Sequence, residues 1–481
     1  MEEKVILVDQ NDNPLGTMEK MEAHRKGLLH RAFSVFIFND KGQLLLQQRA
    51  LSKYHSPGLW TNTVCSHQRE GESTEAAAHR RLREEMGFDT EVREIFDFIY
   101  RAELDRGLTE HELDHVLIGK YQGDPEPNPG EVAAYDYVYL QDLKEDIRRH
   151  PEKYTAWFKI IFDRSYDILV HEAAKMFRDK PLLFEPYFEE KVWGGNKIKE
   201  IFGLNSPYEH TGEAWLLSAV PGKETPVRSG FFKGMTLSYL WQILDSPFWG
   251  DYAGKKEQDF PLLLKIIDAE RDLSVQVHPD DDTAREKHNG FGKNEMWRIL
   301  DAGPGSVIYA GLKEGVTRED FLQALEGKRL EEVLRPLEVR AGDMVFIPAG
   351  TVHAIGKGIL LAEVQQTSDI TYRIYDWNRT GLDGKPRPLH IDEALEVIQF
   401  DSRPDIVRKE LKTPYFSVED KKIDRDSMLT INGFRLLINT SGGIFDLNGV
   451  QLSPGQAALL FAGEYRLKPV RPGSLLLIEP K

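Results

Sequence analysis

The chain has 481 residues, of which 41% are hydrophobic and 29% charged, a composition typical of a globular protein of about three domains. Its 62 Lys and Arg against 78 Asp and Glu leave a net charge of −16, which argues against non-specific binding to nucleic acid or to an anionic membrane, because both carry charge of the same sign. The single cysteine, Cys65, excludes an intrachain disulfide and a cysteine-based zinc finger. With no signal-peptide pattern and no apolar run of about 18 residues, the sequence predicts a soluble, cytoplasmic protein.

The first half of the chain alternates short strands with charged helical segments. A helix is predicted over residues 73–86, because Ser73 can cap its start and Gly87 can take the left-handed conformation after its end. Every fourth residue from Ala78 is apolar, so the helix should bury one stripe. The other elements predicted here are strands over residues 5–8, 33–38 and 43–48, the last two joined by a hairpin turn, and a helical stretch over 152–177.

The lone cysteine lies in a polar run, Trp-Thr-Asn-Thr-Val-Cys-Ser-His, over residues 60–67. A single cysteine is most often buried as a small apolar residue. Two histidines and two carboxylates at i, i+2 on a strand add donors of the kind that bind a divalent metal. These four residues are His24, His30, Glu110 and Glu112. Each alone is more often a surface residue, so the pattern by itself leaves a metal site open.

A helical motif follows the cysteine. Residues 80–87, Arg-Arg-Leu-Arg-Glu-Glu-Met-Gly, with Glu72 upstream, look like a Nudix box, in which a loop and a helix present carboxylates that hold Mg²⁺ against a diphosphate. A solvated helix face of mixed charge would have the same composition. The box also departs from its pattern, since Ser66 stands in place of glycine and Arg81 in place of glutamate. Because a pyrophosphate hydrolase needs that glutamate, the departure disfavours hydrolysis.

The departures match another Nudix family. Over roughly residues 4–170 the chain resembles type 1 isopentenyl-diphosphate isomerase, which implies an α+β Nudix fold with a mixed sheet and helices. One difference is that His24 and His30 are six residues apart, one fewer than in bacterial members, which predicts a shortened loop. The matching segments, in the family's order, are residues 22–24, 29–34, 49–53, 60–67, 80–87, 100–102 and 110–112.

The resemblance implies an allylic 1,3-proton shift that interconverts isopentenyl and dimethylallyl diphosphate in isoprenoid biosynthesis. Glu112 with Tyr100 is expected on the proton-donor side and Cys65 on the acceptor side, with roles that exchange with direction, while the face of Trp157 stabilises a tertiary carbocation. The implied diphosphate-binding residues are Lys20, Arg49, Lys53 and Arg81. The implied metal ligands are Glu85 for Mg²⁺ and, for a second divalent metal (Mn²⁺, Mg²⁺ or Zn²⁺), His24, His30, His67, Glu110 and Glu112.

After Pro181 the sequence consists of short β-like runs with Gly and Pro turns, which is typical of sandwiches and jelly rolls. We expect three domains, over residues 1–178, 182–400 and 401–481. The β-like runs are residues 260–267, 273–277, 306–310, 343–348 and 359–363.

Two motifs in this half offer metal ligands. Gln276 and His278 alternate with valines on a predicted strand and therefore share one face. Residues 342–353 match the second cupin motif, G-x5-P-x-G-x2-H, which ends in His353, and Glu295 supplies a carboxylate. A lone histidine would more often be a core residue, but the intact spacing favours a ligand. The set suits Zn²⁺, with Mn²⁺ or Co²⁺ as alternatives.

Residues 182–400 resemble the short bacterial form of type I mannose-6-phosphate isomerase. The matching segments are residues 184–186, 192–195, 211–215, 272–282, 293–297, 348–354 and 365–379. The resemblance implies that mannose 6-phosphate and fructose 6-phosphate interconvert through a cis-enediol, with zinc held by Gln276, His278, Glu295 and His353. It implies that Arg373 stabilises the enediolate and that Ser274, Lys293 and Asp369 handle phosphate or protons. Residues 401–481 resemble the degenerate second cupin of this family.

The sequence therefore predicts a multidomain, bifunctional isomerase. An N-terminal α+β Nudix domain is followed by all-β cupin jelly-roll domains with helical insertions. The alternative for the first half is a Nudix hydrolase of diphosphate compounds, and the alternative for the second half is a non-catalytic, sugar-binding cupin.

Overall fold

A computed structural model describes residues 3–104, 107–255 and 259–481. They form two compact units. The first comprises Met1–Phe177 with Ser229–Gly234, and the second comprises Arg178–Arg228 with Met235–Lys481. Within the described ranges, no helix has the length and apolar character that crossing a membrane requires. The finer division into three domains stays a prediction.

The first unit is a mixed sheet with helices. Its strands are β1 (Lys4–Val8), β2 (Pro14–Glu19), β3 (His30–Phe38), β4 (Leu44–Arg49), β5 (Trp60–Thr61), β6 (Val64–Ser66), β7 (Val92–Glu103), β8 (Thr109–Lys120) and β9 (Val132–Val138). Its helices are α1 (Lys20–Lys26), α2 (Thr74–Arg81), α3 (Leu140–Arg149) and α4 (Ala156–Ala174).

Strand β3 organises this sheet. It pairs antiparallel with β1, β4 and β6 and parallel with β8, and β8 pairs antiparallel with β7. Phe33 and Val35 of β3 pack in one core with Leu82 and Met86. The buried stripe that the spacing of Ala78, Leu82 and Met86 predicts is therefore confirmed.

Two helices differ from the sequence-based prediction. Ser73 caps α2 by accepting a hydrogen bond from the Ala76 amide, but the α-helix stops at Arg81 and the next turn, Leu82–Met86, is π-helical. A π-turn of this kind is common at functional sites. The helix predicted over 152–177 begins as a 3₁₀ turn and becomes α-helical only at α4, because the chain is extended at Thr155.

The second unit is rich in strands. Strands β10–β22 are β10 (Leu182–Leu183), β11 (Tyr187–Gly195), β12 (Thr211–Leu217), β13 (Leu262–Ala269), β14 (Val275–Val277), β15 (Glu295–Ala302), β16 (Val307–Leu312), β17 (Leu334–Glu338), β18 (Met344–Ile347), β19 (His353–Ile355), β20 (Ile359–Gln366), β21 (Tyr372–Tyr375) and β22 (Ile406–Val407). Its helices are α5 (Lys197–Phe202), α6 (Leu237–Ile243), α7 (Ser246–Trp249), α8 (Asp281–His288), α9 (Arg318–Glu326) and α10 (Ile391–Val397).

Two sheets of this unit form a sandwich. One has the order β11-β12-β13-β20-β15-β18-β22 and the other β17-β16-β19-β14-β21. Their facing residues share one core, to which Ile267 and Trp297 contribute from the first sheet and Ile308 and Ile355 from the second. The β-rich, cupin-like architecture predicted for this half is confirmed.

The C-terminal strands form a further pair of sheets with a core of their own. These strands are β23 (Glu410–Lys412), β24 (Phe416–Ile423), β25 (Ser427–Ile431), β26 (Arg435–Asn439), β27 (Ile444–Leu447), β28 (Val450–Leu452), β29 (Ala457–Leu460), β30 (Gly463–Arg471) and β31 (Gly473–Pro480). Strand β10 joins them, since Leu182 pairs with Leu459 and Leu183 is buried in the C-terminal core. The residues expected to open the second domain therefore pack with the third.

Candidate metal centres and catalytic sites

The sheet of the first unit aligns three polar side chains. Glu112 on β8 is the register partner of His30 on β3 and of Tyr100 on β7. Register partners on neighbouring strands project from the same face of a sheet. This pairing is non-local in sequence, and it brings a histidine, a carboxylate and a phenol to one place.

Four residues offer ligand atoms that lie within 4.8 Å of one another: His24, His30, His67 and Glu112. The Nε2 atoms of His24 and His30 are 3.2 Å apart, and His67 Nε2 is 3.0 Å from a Glu112 oxygen. His30 Nδ1 lies 2.8 Å from the Leu28 carbonyl and donates to it, which leaves Nε2 as a lone pair facing the cluster.

Burial sets the charge of this cluster. Desolvation lowers the pKa of His24 to about 3 and that of His67 to about 4. Burial alone would raise the pKa of Glu112, but the neighbouring His30 and His67 side chains outweigh it and hold that pKa well below its usual range. Neutral imidazoles beside an ionised carboxylate are the form in which these side chains bind metal. The donor set therefore fits a divalent cation.

Glu110 lies beside this cluster. The Tyr100 hydroxyl is 2.6 Å from one Glu112 oxygen and 3.2 Å from one of Glu110, so it reaches both carboxyl groups. Burial and the neighbouring Glu112 charge raise the pKa of Glu110 well above its usual range. Because Glu110 is not one of the four clustered residues, its expected role as a ligand stays a prediction.

The predicted catalytic side chains line one cavity with these residues. Cys65, Glu112, Tyr100 and Trp157 all contribute to its wall. Cys65 Sγ is 2.7 Å from Asn62 Oδ1, and burial, with the Asp114 carboxyl, raises the pKa of the thiol. A thiol and a carboxylate therefore line the same cavity.

The predicted diphosphate-binding residues line the same cavity. They are Lys20, Arg49, Lys53 and Arg81, and Glu85 accompanies them. Arg81 Nε donates to Glu85 at 2.8 Å, and the other Glu85 oxygen accepts from Gln47 at 2.7 Å. Among the described residues, buried Arg49 Nε has no hydrogen-bond partner. A free donor in a buried, basic cavity is suited to an anionic ligand.

A second row of polar side chains crosses the sandwich of the second unit. Gln276 on β14 is the register partner of both His353 on β19 and Arg373 on β21. The three side chains therefore share the inner face of one sheet. Glu295 projects from β15 of the opposing sheet, so the residues predicted as ligands meet between the two sheets.

The ligand atoms of His278, Glu295 and His353 lie within 4.8 Å of one another. His278 Nε2 is 3.5 Å and His353 Nε2 is 3.3 Å from Glu295 oxygens. Both histidines donate through Nδ1 to backbone carbonyls, of Ile370 at 2.9 Å and Thr351 at 2.8 Å, so their Nε2 lone pairs converge.

The state of these groups fits a metal. Neither oxygen of the buried Glu295 carboxylate has a hydrogen-bond partner in the described chain, so both are available to a metal ion. Burial lowers the pKa of His353 to about 4 and that of His278 well below its usual range. Gln276 presents Nε2 to His353 at 3.2 Å, and ligation by this residue requires the amide turned over so that Oε1 faces the site.

The remaining predicted residues of this half line the adjoining cavity. They are Ser274, Lys293, Asp369 and Arg373. Lys293 Nζ lies 3.4 Å from Glu295, and the Ser274 hydroxyl is 3.5 Å from Gln276 Oε1. Asp369 lies at the exposed rim, 3.8 Å from Lys223.

Comparisons with known proteins found relatives for both halves of the chain. Residues 28–158 match the NUDIX domain model, and residues 182–295 match the model "Phosphomannose isomerase type I, catalytic domain". Isopentenyl-diphosphate Delta-isomerase 2 of Photorhabdus laumondii is 53% identical over 34% of this chain and 92% of its own length. Mannose-6-phosphate isomerase ManA of Bacillus subtilis is 44% identical over 47% of this chain and 70% of its own length.

The chain belongs to two isomerase families. The first unit is related to isopentenyl-diphosphate isomerases, and the second unit is related to mannose-6-phosphate isomerases. The crystal structure of the mannose 6-phosphate isomerase from Bacillus subtilis is similar to this chain, with a TM-score of 0.57 and 30% identity. The match covers 62% of this chain and 98% of the Bacillus subtilis chain. The two family memberships predicted from the sequence are confirmed.

The structure adds residues to both isomerase sites that sequence reasoning missed. In the second, buried Lys265 lies 3.5 Å from both Glu213 and Glu363, and all three line the cavity. The only indication of Glu213 in the sequence is its position in segment 211–215, which matches the mannose-6-phosphate isomerase family. In the first, Glu131 bonds to both Arg81 and Lys53 from a loop with no motif.

Proposed function

We propose that the chain is a bifunctional isomerase with one active site in each unit. The first would interconvert isopentenyl and dimethylallyl diphosphate, and the second would interconvert mannose 6-phosphate and fructose 6-phosphate. One observation supports both proposals. In each unit a buried cluster of donors suited to a metal lies beside a cavity lined by the acid, base or cationic groups that the reaction needs.

In the first site, one group must protonate the alkene and another must remove a proton from the opposite side. We assign these steps to Glu112, with the Tyr100 hydroxyl that bonds to it, and to Cys65. The intermediate is a tertiary carbocation without a polar group, so an aromatic face is the apt stabiliser, and Trp157 lines the cavity.

The residues that would bind the diphosphate of the substrate are Lys20, Arg49, Lys53 and Arg81. We propose that Glu85 holds Mg²⁺ at the diphosphate and that His24, His30, His67, Glu110 and Glu112 hold a second divalent cation. Bound at Glu85, Mg²⁺ would neutralise part of the diphosphate charge.

In the second site, a proton leaves C2 of the open-chain aldose and returns at C1 of the cis-enediol. Zinc, held by Gln276, His278, Glu295 and His353, would polarise the substrate oxygens when bound. Arg373 donates to the negative charge that develops, and Ser274, Lys293 and Asp369 position the phosphate or carry protons.

The rival for the first site is a Nudix hydrolase. Arg81 argues against a hydrolase, because its guanidinium stands where hydrolysis needs a carboxylate. The Arg81 Nε also donates a hydrogen bond to Glu85 at 2.8 Å. The rival for the second site is a sugar-binding cupin. Arg373 opposes that, since binding alone needs no group that stabilises an enediolate.

An assay of the purified full chain with both substrates, before and after chelation, tests the proposal. We expect both activities, both lost on chelation and restored by divalent metal, with no phosphate released from a panel of nucleotide diphosphates. Phosphate release without isomerisation would establish the hydrolase instead. Sugar-phosphate binding without turnover in the metal-loaded chain would establish the binding cupin.

A further inference from the structure

One hydroxyl joins two groups of the proposed isopentenyl site that are distant in sequence. Thr61, at the end of β5, is 1% exposed. Its Oγ1 accepts hydrogen bonds from the Trp157 indole N–H at 3.0 Å and from the Thr155 hydroxyl at 3.2 Å, and it donates to Asn62 Oδ1 at 3.0 Å. A hydroxyl has one donor and two acceptor sites, which these three bonds occupy, and the Cys65 sulfur lies a further 3.9 Å from the same oxygen.

The amide of Asn62 continues the connection to the thiol. Its Nδ2 donates to the backbone carbonyls of Val35 at 3.2 Å and Val64 at 2.9 Å, which fixes the orientation of the side chain. Its Oδ1 therefore faces inward, where it accepts from Cys65 Sγ at 2.7 Å as well as from Thr61. A continuous set of hydrogen bonds thus links the indole to the thiol, and all its members except the partly buried Cys65 are buried.

This link suits the reaction. A tertiary carbocation offers no hydrogen-bonding group, so the enzyme cannot hold the reacting carbons directly, and the angle of the aromatic face and the place of the thiol must be set by the protein. Misplacement of a reacting group by about 1 Å can cost about 10²-fold in rate. The indole N–H has no other acceptor among the described residues, so the orientation of its ring depends on Thr61.

We propose that Thr61 is a positioning residue of the isopentenyl site, whose hydroxyl fixes the Trp157 ring and, through Asn62, the Cys65 thiol. This inference rests on the function proposed for that site. Thr61 acts through its neighbours, since it does not itself line the cavity.

Thr61→Val is the direct test, because valine keeps the shape and removes the hydroxyl. We expect kcat for isopentenyl diphosphate to fall by about 10- to 100-fold. The KM should stay within about threefold, since the diphosphate-binding residues are untouched. Thr61→Ser should restore kcat to within about threefold of wild type. If the valine variant does not fold, Thr61→Ala makes the same test, with thermal unfolding of each variant as the check.

Thr155→Val is the matched control. Among the described residues the Thr155 hydroxyl bonds only to Thr61, and the Thr155 side chain makes no capping bond to α4. The substitution therefore removes one hydrogen bond of the Thr61 hydroxyl and leaves the bond from the Trp157 indole in place. We expect nearly wild-type kcat. A readout independent of turnover is the indole ¹H–¹⁵N signal of Trp157, assigned with Trp157→Phe, which should move in Thr61→Val and stay near its place in Thr61→Ser and Thr155→Val.

Three outcomes would overturn the inference alone while the wild type remains active. They are a wild-type kcat in Thr61→Val, a rise in KM with kcat unchanged, and a serine variant as impaired as the valine variant. A wild-type chain without isopentenyl isomerase activity would refute the proposed function, and the inference with it.

Discussion

Arg373→Ala separates the stabilisation of charge from the binding of metal in the sugar-phosphate site. Arg373 is the register partner of Gln276, so it stands one strand away from the predicted zinc ligands. A guanidinium has only donors and cannot ligate a cation. We therefore expect the variant to keep its metal and to lose turnover.

The bonding of Arg373 sets the size of the effect. One terminal nitrogen donates to the Pro388 carbonyl at 2.9 Å, while Nε is without a partner in the described chain and the side chain lines the cavity. Removing one donor that stabilises an oxyanion costs about 10²- to 10³-fold in kcat, or about 2.7–4 kcal/mol. Because Arg373 is only half-buried, we expect the lower end, about 10². Arg373→Lys should recover part of this, since it keeps the charge but loses the planar fork.

The assay pairs elemental analysis of metal per chain with steady-state rates. Glu295→Gln is the contrasting variant and should lose both metal and activity, whereas Gln276→Ala should keep some metal, because a neutral amide is the weakest of the four donors. Arg335→Ala, in which an arginine paired with Asp405 is removed, controls for the loss of charge. An Arg373→Ala protein that had lost its metal, or that turned over like wild type, would refute this reasoning.

Three further predictions concern separate groups. Cys65→Ala or alkylation should abolish isopentenyl isomerisation and spare the sugar-phosphate reaction, because the chain has one cysteine; loss of both activities on alkylation would contradict two independent sites. Glu112→Gln should lower the first activity by more than the roughly 10²–10⁴ of an acid–base group, because metal is lost as well, and nearly wild-type rates would exclude it from both roles. Burial raises the pKa of Asp268 from 3.8 to about 6, so its native state holds the proton more tightly and stability falls as pH rises from about 4 to 6. The stability of wild type relative to Asp268→Asn, from denaturant unfolding, should drop over that window by no more than about 3 kcal/mol, and a flat difference would contradict the shift.

Local signals in the sequence predicted the elements whose ends are set by near neighbours. Ser73 and Gly87 do bound the helical segment, because a cap and a left-handed residue act within one turn. The π-turn before Gly87 was not predictable in this way, since its hydrogen bonds depend on packing against the sheet. The break at Thr155 was missed for a related reason, because its hydroxyl bonds to Thr61 on a distant strand.

The same distinction holds for the sites. Residues that lie in recognisable motifs, such as His278 and His353, are predictable as candidate ligands from the sequence. Thr61, Glu131 and Lys265 are not, because their partners are far away in sequence and only tertiary packing brings them together. Strand register does this for Lys265, and the packing of helices α4 and α2 does it for Thr61 and Glu131. Register is fixed by the burial pattern of whole strands. Short motifs contain no record of it, so positioning residues emerge only from the fold.

The net charge of −16 and the anionic substrates are compatible because the two act over different distances. At physiological ionic strength exposed charges are screened beyond about 8 Å, so acidic residues elsewhere on the surface contribute little inside a cavity. Lys53 and Arg81 are shielded from this screening and share the Glu131 carboxylate, which holds them in place before the substrate binds. In the proposed isopentenyl site a diphosphate would compete with one carboxylate for two cationic side chains that are already oriented, so we expect it to bind without a basic surface.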